Sequence, residues 1–383
     1  MDFSLSPEQE SVQKRARQTA QEVKTMAAKI DREGRFPQDI LEIWAEEGFF
    51  GLCLPREYGG SGRDYVSYAL AQMELAQACP SSAIILHVNH SLFGMGLTQF
   101  GTDDQKQRFL PPVAQGQVLA CFALTEPQAG SDPSRLKTTA LREKHGWVLS
   151  GHKNFVTSGQ IARFAMVAAR TDLTREPHKS ISLFLMDLKS SSEGIKIGPL
   201  EEKMGLTGAK SVSLDFEGAL LPPYALLGEL HQGLRMALSI MDSARVGAAA
   251  QAVGIGRAAL HEALNYARRR EQFGQPLVQF QGIQWKLADL ATDLEAAALL
   301  TLKAAWLKDQ GKPFAAAAAM AKKFATDTAM AAAQEGLQIF GGYGYLKDYP
   351  LERLFRDAKA GQIYEGTNEI MRLVIARDLL KEG

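Results

Sequence analysis

Cysteine is scarce: Cys53, Cys79 and Cys121 are the only three in 383 residues, odd in number and far apart. That spacing excludes a disulfide framework and offers no paired metal ligands, so a reducing cytoplasm is the expected setting. The seven histidines contain no i, i+4 pair with a helical acid, which leaves metal-assisted hydrolysis without support. A G-x-S-x-G elbow is missing too. There is no excess charge of one sign. Forty-three Lys and Arg balance 43 Asp and Glu, so no global field draws in nucleic acid or an anionic membrane. Even the Ala-rich stretch 315–333 is cut by Lys322, Lys323 and Asp327, and nothing approaches the roughly 18 apolar residues of a membrane span. The opening MDFSLSPEQESVQKRARQTAQEV has neither the basic start nor the apolar centre of a signal peptide.

What the chain does have is apolar material for a large core, 46% of its residues, arranged in three textures. From Glu8 to about Gly116 the pattern is helical; FPQDILEIWAEEGFFGLCLP ends in turn chemistry at REYGGSGRD, and helical spacing resumes at YVSYALAQMELAQA. From about Val118 to Gly228, strand-like runs take over. TTALREKHGWVLSG reads as a hairpin through Lys144, His145 and Gly146, and FAMVAAR, ISLFLMDL and SVSLDFEG read as strands. In the last, Val212, Leu214 and Phe216 alternate with Ser213, Asp215 and Glu217, as on a half-buried sheet. From His231 the helical period returns, with Ile283, Leu287, Leu290, Leu294, Ala297, Thr301 and Ala305 forming one stripe. The expectation is a mixed α and β chain of three domains: helical 1–117, β 118–230, and a helical bundle 231–383 with apolar surface left over for contacts between subunits.

GIGRAA sets Gly254, Gly256 and Ala259 at the spacing of a dinucleotide-binding turn. Such a turn follows a strand, whereas both flanks here are helical. Gly247, Gly254 and Gly256 therefore read as close helix contacts, at a propensity cost of roughly 1 kcal/mol each. ARRREQFG serves equally as a solvated helix face or a pyrophosphate site. CFALTEPQAGSD runs from a strand into a loop with Thr125, Gly130, Ser131 and two acids of exposed type, Glu126 and Asp132. Rich in N–H donors and hydroxyls but without a nucleophile and base, it suits a phosphate or polar heterocycle. Near the end, IYEGTNE puts Glu365 on a turn before a helix started by Thr367 and Asn368.

Together and in this order, ALTEPQAGSD, QIFGGYGYLKDYPLERLFRD (338–357, with Asp348, Arg353 and Asp357) and IYEGT resemble the acyl-CoA dehydrogenase family. IQWKLADLATDLEAAALLTLKAAWLKDQGKPF resembles its short-chain, butyryl-type branch, and the resemblance runs end to end. Arg135 departs from it, standing where a small residue is usual. The resemblance implies an N-terminal helical domain, a middle β-domain and a C-terminal four-helix bundle. It also implies FAD, α,β-dehydrogenation of an acyl-CoA to the trans-2-enoyl product, an electron-transfer flavoprotein as acceptor, and a homotetramer. By similarity, Phe122 to Ser131, including Leu124, Thr125 and Gly130, contact the flavin, and Phe155, Val156 and Thr157 flank its ring. Arg270, Gln281, Gln338, Ile339, Phe340, Gly341 and Gly342 reach the FAD of a neighbouring subunit, where Arg270 offers pyrophosphate a directed donor fork. Thr367, Asn368 and Glu369 hold the nucleotide part, and Ser131, Asp242, Arg245 and Gly366 contact the acyl-CoA.

The implied reaction removes a proton α to a thioester, which calls for a base, donors at the carbonyl oxygen and a hydride acceptor. Glu365 is the implied base, strengthened by burial beside an acyl chain; its backbone N–H, with a flavin ribityl hydroxyl, is implied at the carbonyl oxygen. Some branches carry the base just before the arginine of MDSAR, but Ala244 stands there and cannot take a proton. The closed end of the acyl cavity is expected near ILHVNHSLFGMG, where Asn89 and His90 either bound it or cap a helix. A short, straight substrate such as butyryl-CoA is expected. The alternatives are a medium- or branched-chain dehydrogenase, an oxidase passing electrons to oxygen, and a helical scaffold without cofactor.

Overall fold

The computed structural model describes residues 4–189 and 193–381. The first block comprises α1 (Pro7–Val23), α2 (Met26–Glu33), α3 (Gln38–Glu46), α4 (Tyr65–Ala78), α5 (Pro80–His87), α6 (Met95–Phe100) and α7 (Asp103–Ala114). Cap chemistry sets several of the starts. Ser6 with Gln9, and Thr102 with Gln105, form reciprocal capping boxes on α1 and α7, and Asp64 accepts from the Ser67 N–H at 2.7 Å on α4. Each such cap contributes about 1 kcal/mol. Between α5 and α6 the chain widens into a π-helical segment, Val88–Gly94, which re-aims side chains that regular helix would space evenly. Asn89 is thereby committed to joining this block to the sheet: it accepts from the Ala120 N–H at 2.7 Å and donates to the Val113 carbonyl at 3.3 Å.

The sheet contains β1 (Ala120–Ala123), β2 (Thr139–Glu143), β3 (Gly146–Thr157), β4 (Phe164–Arg170), β5 (Ile181–Asp187), β6 (Ile195–Leu200), β7 (Ser211–Leu221) and β8 (Leu226–Leu227). Its order is β6-β7-β3-β2-β4-β5-β8, with β1 parallel to β4. The β2–β3 turn is Lys144 and His145; Gly146 pairs with Glu143 and belongs to the strand. Val212, Leu214 and Phe216 are buried while Glu217 is exposed, as the alternation requires. Trp147 meets Phe184 edge-on inside the sheet's own core, with centroids 5.2 Å apart. The other face packs on helices, and Phe164 meets Phe109 of α7 edge-on at 4.9 Å.

The third block runs α8 (Gly233–Arg269), a small hairpin of β9 (Glu271–Gln272) and β10 (Gln275–Pro276), α9 (Gln281–Asp309), α10 (Ala315–Phe340), α11 (Pro350–Gly361) and α12 (Asn368–Leu379). Helices α8, α9, α10 and α11 pack as a bundle, with α12 against α10. A Cβ at Gly254 would lie 2.4 Å from the Met73 carbonyl of α4, and one at Gly256 2.5 Å from Leu294 Cδ2 of α9. The apparent dinucleotide fingerprint is thus a helix-packing device. On α9 the stripe Leu287, Leu290, Leu294, Ala297, Thr301 and Ala305 is buried, each leucine contributing about 1.5–3 kcal/mol. Asp357 on α11 ties the bundle to the middle block, accepting from the Leu206 N–H at 2.6 Å; burial pushes its carboxyl up to about 6. Among the described residues, no helix is long and apolar enough to cross a membrane, and no cluster of His, Cys, Asp or Glu is arranged for a metal.

Candidate active site

Between α11 and α12 the chain turns sharply, with Glu365 at φ 55° and Gly366 at φ 92°. Glycine adopts this left-handed geometry freely, whereas a glutamate is strained by roughly 1–2 kcal/mol. Helix α10 braces the turn. The buried Lys322 ammonium donates to the Gly366 carbonyl at 2.8 Å and to Asn368 Oδ1 at 3.0 Å, and Thr367 caps α12 by accepting from the Ile370 N–H at 3.4 Å. The turn directs Glu365 inward, its side chain 7% exposed. Oε1 is hydrogen-bonded to His87 Nε2; Oε2 is buried with no partner among the described residues.

Arg245 on α8 is buried, ion-paired with Asp242, and leaves its Nε without a partner among the described residues. Burial pushes its guanidinium below the usual range, while the charges of Asp242 and Glu365 pull the other way. Burial also pushes Lys322 down to about 8, against the Glu365 charge. The two cations face the carboxylate, and its uncommitted oxygen leaves an acceptor position free to meet a carbon acid. Ala244 is buried and offers no such group.

The loop after β1 departs from expectation at Glu126, which is 4% exposed rather than a surface acid. It accepts from Lys153 Nζ at 2.7 Å and from the Lys137 and Thr138 N–H groups at 2.6 and 3.0 Å. Burial alone would raise the Glu126 carboxyl, but the Lys153 charge and these donors outweigh it and hold it below its usual range. Lys153 also donates to the Leu124 carbonyl at 3.1 Å, and the Asn154 N–H to the Thr125 carbonyl at 2.9 Å. Phe122 pairs with Met166 of β4, while these bonds lace Leu124 and Thr125 to the end of β3. There Phe155 sits at φ 57° and is 67% exposed, while the Val156 side chain is buried in the sheet core and leaves only its backbone available. Ser131, Asp132 and Arg135 are exposed, and the one-turn helix Pro133–Arg135 packs beside Pro177–Lys179. Next to it a recess of ≈ 650 Å³, lined by Arg175, His178, Lys179, His231 and Arg235, extends to Asp242. This cationic mouth comes from two segments far apart in sequence, and no local cluster announces it.

Arg270, Gln281 and residues 338–342 gather at the other end of the bundle. The Arg270 guanidinium lies 5.8 Å from the Tyr343 ring centroid, and Gln281 and Gln338 are exposed. Ile339 and Phe340 face the core, Phe340 stacking on Tyr266 at 4.0 Å, so they too present backbone alone. Arg270 directly follows α8, about 25 residues beyond Arg245, or roughly 37 Å at 1.5 Å per residue. One chain does not bring this set to Glu365. Near the turn, Asn368 is committed to α10 through Thr326 Oγ1 at 2.9 Å and Asp327 Oδ1 at 2.7 Å, while Glu369 is exposed.

The family model for the acyl-CoA dehydrogenase N-terminal domain matches residues 6–117, that for the middle domain 121–219 and that for the C-terminal domain 231–380. The chain belongs to the acyl-CoA dehydrogenase family. It is 40% identical over 382 residues to the short-chain specific acyl-CoA dehydrogenase of Clostridium acetobutylicum, covering 100% of both chains. It is 42% identical over 385 residues to the acryloyl-CoA reductase (NADH) of Anaerotignum propionicum, covering 100% of this chain and 96% of the other. Butyryl-CoA dehydrogenase from Megasphaera elsdenii has the same fold, with TM-score 0.96 and 40% identity over 99% of this chain and 100% of the other.

Acyl-CoA dehydrogenases are FAD-dependent, and this family member's residues fit the cofactor. Gly130, Gly341 and Gly342 have nothing within 4 Å of where a Cβ would stand, which leaves their backbone open to close approach. Two residues that contact the Glu365 turn of this acyl-CoA dehydrogenase escaped sequence reading. Within ILHVNHSLFGMG, His90 stacks on Tyr68, rings 4.1 Å apart, and accepts from the Cys53 N–H at 3.2 Å; burial pushes it down to about 3. It is His87, three residues earlier, that reaches Glu365. Lys322 was equally hidden. The only local signals were a histidine in ILHVNHS and one of two adjacent lysines in an Ala-rich helix, neither distinguished from its polar neighbours by spacing.

Proposed function

We propose that this acyl-CoA dehydrogenase oxidises a short, straight acyl-CoA such as butyryl-CoA to the trans-2-enoyl thioester, with Glu365 as base and an electron-transfer flavoprotein as acceptor. The observation that carries it is the Glu365 carboxylate, buried between cations with Oε2 uncommitted. FAD, when bound, supplies the acceptor for the β-hydride. Glu365 takes the α-proton onto Oε2, and its backbone N–H is assigned to the thioester oxygen. Ser131, Asp242, Arg245 and Gly366 bind the acyl-CoA, and the cationic mouth around Arg175, Lys179 and Arg235 suits its phosphates. The β1 and β3 loops hold the flavin, with Thr367 to Glu369 at its nucleotide part, on a three-domain division at 1–117, 118–230 and 231–383. Three unpaired thiols accord with a cytoplasmic setting.

The short-chain reading draws on the bulk packed around Glu365, namely His87, Tyr68 and Tyr364, together with the named relatives. Across acyl-CoAs of about four to twelve carbons, kcat/KM is expected to peak at about four, since each added methylene is worth roughly 0.8 kcal/mol only where the cavity admits it. A maximum at about eight or beyond removes this assignment, and peroxide formed at the rate of turnover removes the flavoprotein acceptor. The acryloyl-CoA reductase relative favours a second reading in which the same site saturates an enoyl-CoA. Rates with butyryl-CoA plus an electron acceptor, against its enoyl counterpart plus a donor, separate the two.

A homotetramer follows from the same reading. The Arg270 set lies too far from Glu365 to serve its own chain's flavin, and α9 exposes Trp285, Leu299 and Trp306 at 61%, 43% and 47% on one heptad-spaced stripe. Light scattering is expected to give about four times the 41.8 kDa of one chain; an FAD-replete monomer excludes the assembly.

A further inference from the structure

The two oxygens of Glu365 are not equivalent. Oε1 faces His87 Nε2 and Oε2 faces no partner among the described residues. His87 is itself completely buried, and its other ring nitrogen, Nδ1, lies 2.9 Å from Tyr68 Oη. Accepting the assignment of Glu365 as base, we propose that His87 is a positioning residue: its Nε2–H holds Oε1 so that Oε2 alone meets the carbon acid, and Tyr68 fixes the imidazole tautomer that makes this possible.

The tautomer follows from donor arithmetic. The Tyr68 hydroxyl has one hydrogen, and giving it to Nδ1 leaves the ring proton on Nε2, aimed at an oxygen that can only accept. The opposite tautomer would set a lone pair against the carboxylate. Helix α8 leaves room for the ring through Gly247, where a Cβ would lie 2.3 Å from His87 Nδ1 and 2.8 Å from Tyr68 Oη. The groups facing the pair complete the picture. Tyr65 and Tyr68 on α4 and Tyr364 beside the turn are kept protonated by burial, and His90 is kept neutral by it. Arg245, with its partner Asp242, from α8 and Lys322 from α10 both act on the carboxylate.

During proton abstraction the α-hydrogen passes as a proton from carbon to Oε2, and the C–H electron pair remains on the enolate. His87 keeps its proton throughout. Its hydrogen bond is stronger to the carboxylate than to the carboxylic acid, so it favours the charged form of the base. Removing the donor therefore moves the acid limb of the pH profile upward.

Acetyl-CoA separates this from the redox half-reaction, because it has α-hydrogens but no β-carbon. Deuterium uptake from D2O at its α-carbon, followed by mass spectrometry on the holoenzyme between about pH 5 and 9, reads the base alone. In His87→Leu the acid limb is expected to move up on the order of one pH unit, the worth of a hydrogen bond to a charged group. In His87→Gln, whose amide donates from a similar place, the limb stays near wild type. Tyr68→Phe, which keeps its ring and releases the tautomer, moves it upward by less and carries the test if the leucine variant does not fold. Flavin content and melting temperature report folding. An unmoved limb in Tyr68→Phe and in folded His87→Leu, or equal movement in the leucine and glutamine variants, overturns the proposal. Full exchange in Glu365→Gln instead overturns the assignment of the base, and this inference with it.

Discussion

Glu365→Gln is expected to lower dehydrogenation about 10³-fold while FAD stays bound. That is the contribution a positioned general base makes, and glutamine preserves the side chain's shape while removing its capacity to take a proton. The sharpest reading is anaerobic. Butyryl-CoA is expected to bleach the visible flavin band of the wild-type protein and to leave that of the variant intact. Bleaching of the variant at near wild-type rate removes Glu365 from its role. A wild-type band that butyryl-CoA leaves unchanged moves the substrate elsewhere while keeping the fold.

Lys153→Met is expected to cost about 3–5 kcal/mol of stability, because it strands a buried carboxylate without its countercharge. Lys153 is fully buried and Glu126 nearly so, which places the pair outside the range of weak surface bridges. The flavin is expected to leave as well, since Lys153 joins the Leu124 carbonyl and Glu126 to β3. Adding Glu126→Gln should restore part of the loss, because it removes the stranded charge, although its single amide oxygen can accept from only one of the Lys137 and Thr138 N–H groups, which the carboxylate meets with different oxygens. Urea denaturation, with the flavin-to-protein absorbance ratio, measures both effects. A single variant that loses less than about 1 kcal/mol and keeps its flavin shows that the pair does not fasten the loop.

Helices and strands were legible wherever burial is one-sided, because the period of Leu287, Leu290 and Leu294 or of Val212, Leu214 and Phe216 writes itself directly into sequence. Glu365 was legible through its turn and its motif. Glu126 was not, since its partner Lys153 lies on another strand and a carboxylate in a polar loop gives no local sign of burial. The same limit hid His87: nothing near it in sequence points across 278 positions to Glu365. Residues assigned by resemblance divide in the same manner. Arg270 and Gln281 present side chains outward, whereas Val156, Ile339 and Phe340 turn theirs into the core, a distinction that motif spacing does not carry.

The left-handed backbone at Glu365 sets durability and catalysis against each other at a single codon. Glycine would relax that turn but would also take a countercharge from Arg245 and Lys322; where relief of strain outweighs that loss, variants screened only for survival of heating would drift toward the Glu365→Gly change and, with Glu365 as the proposed base, lose their chemistry. Only a screen that also demands turnover keeps the glutamate in place.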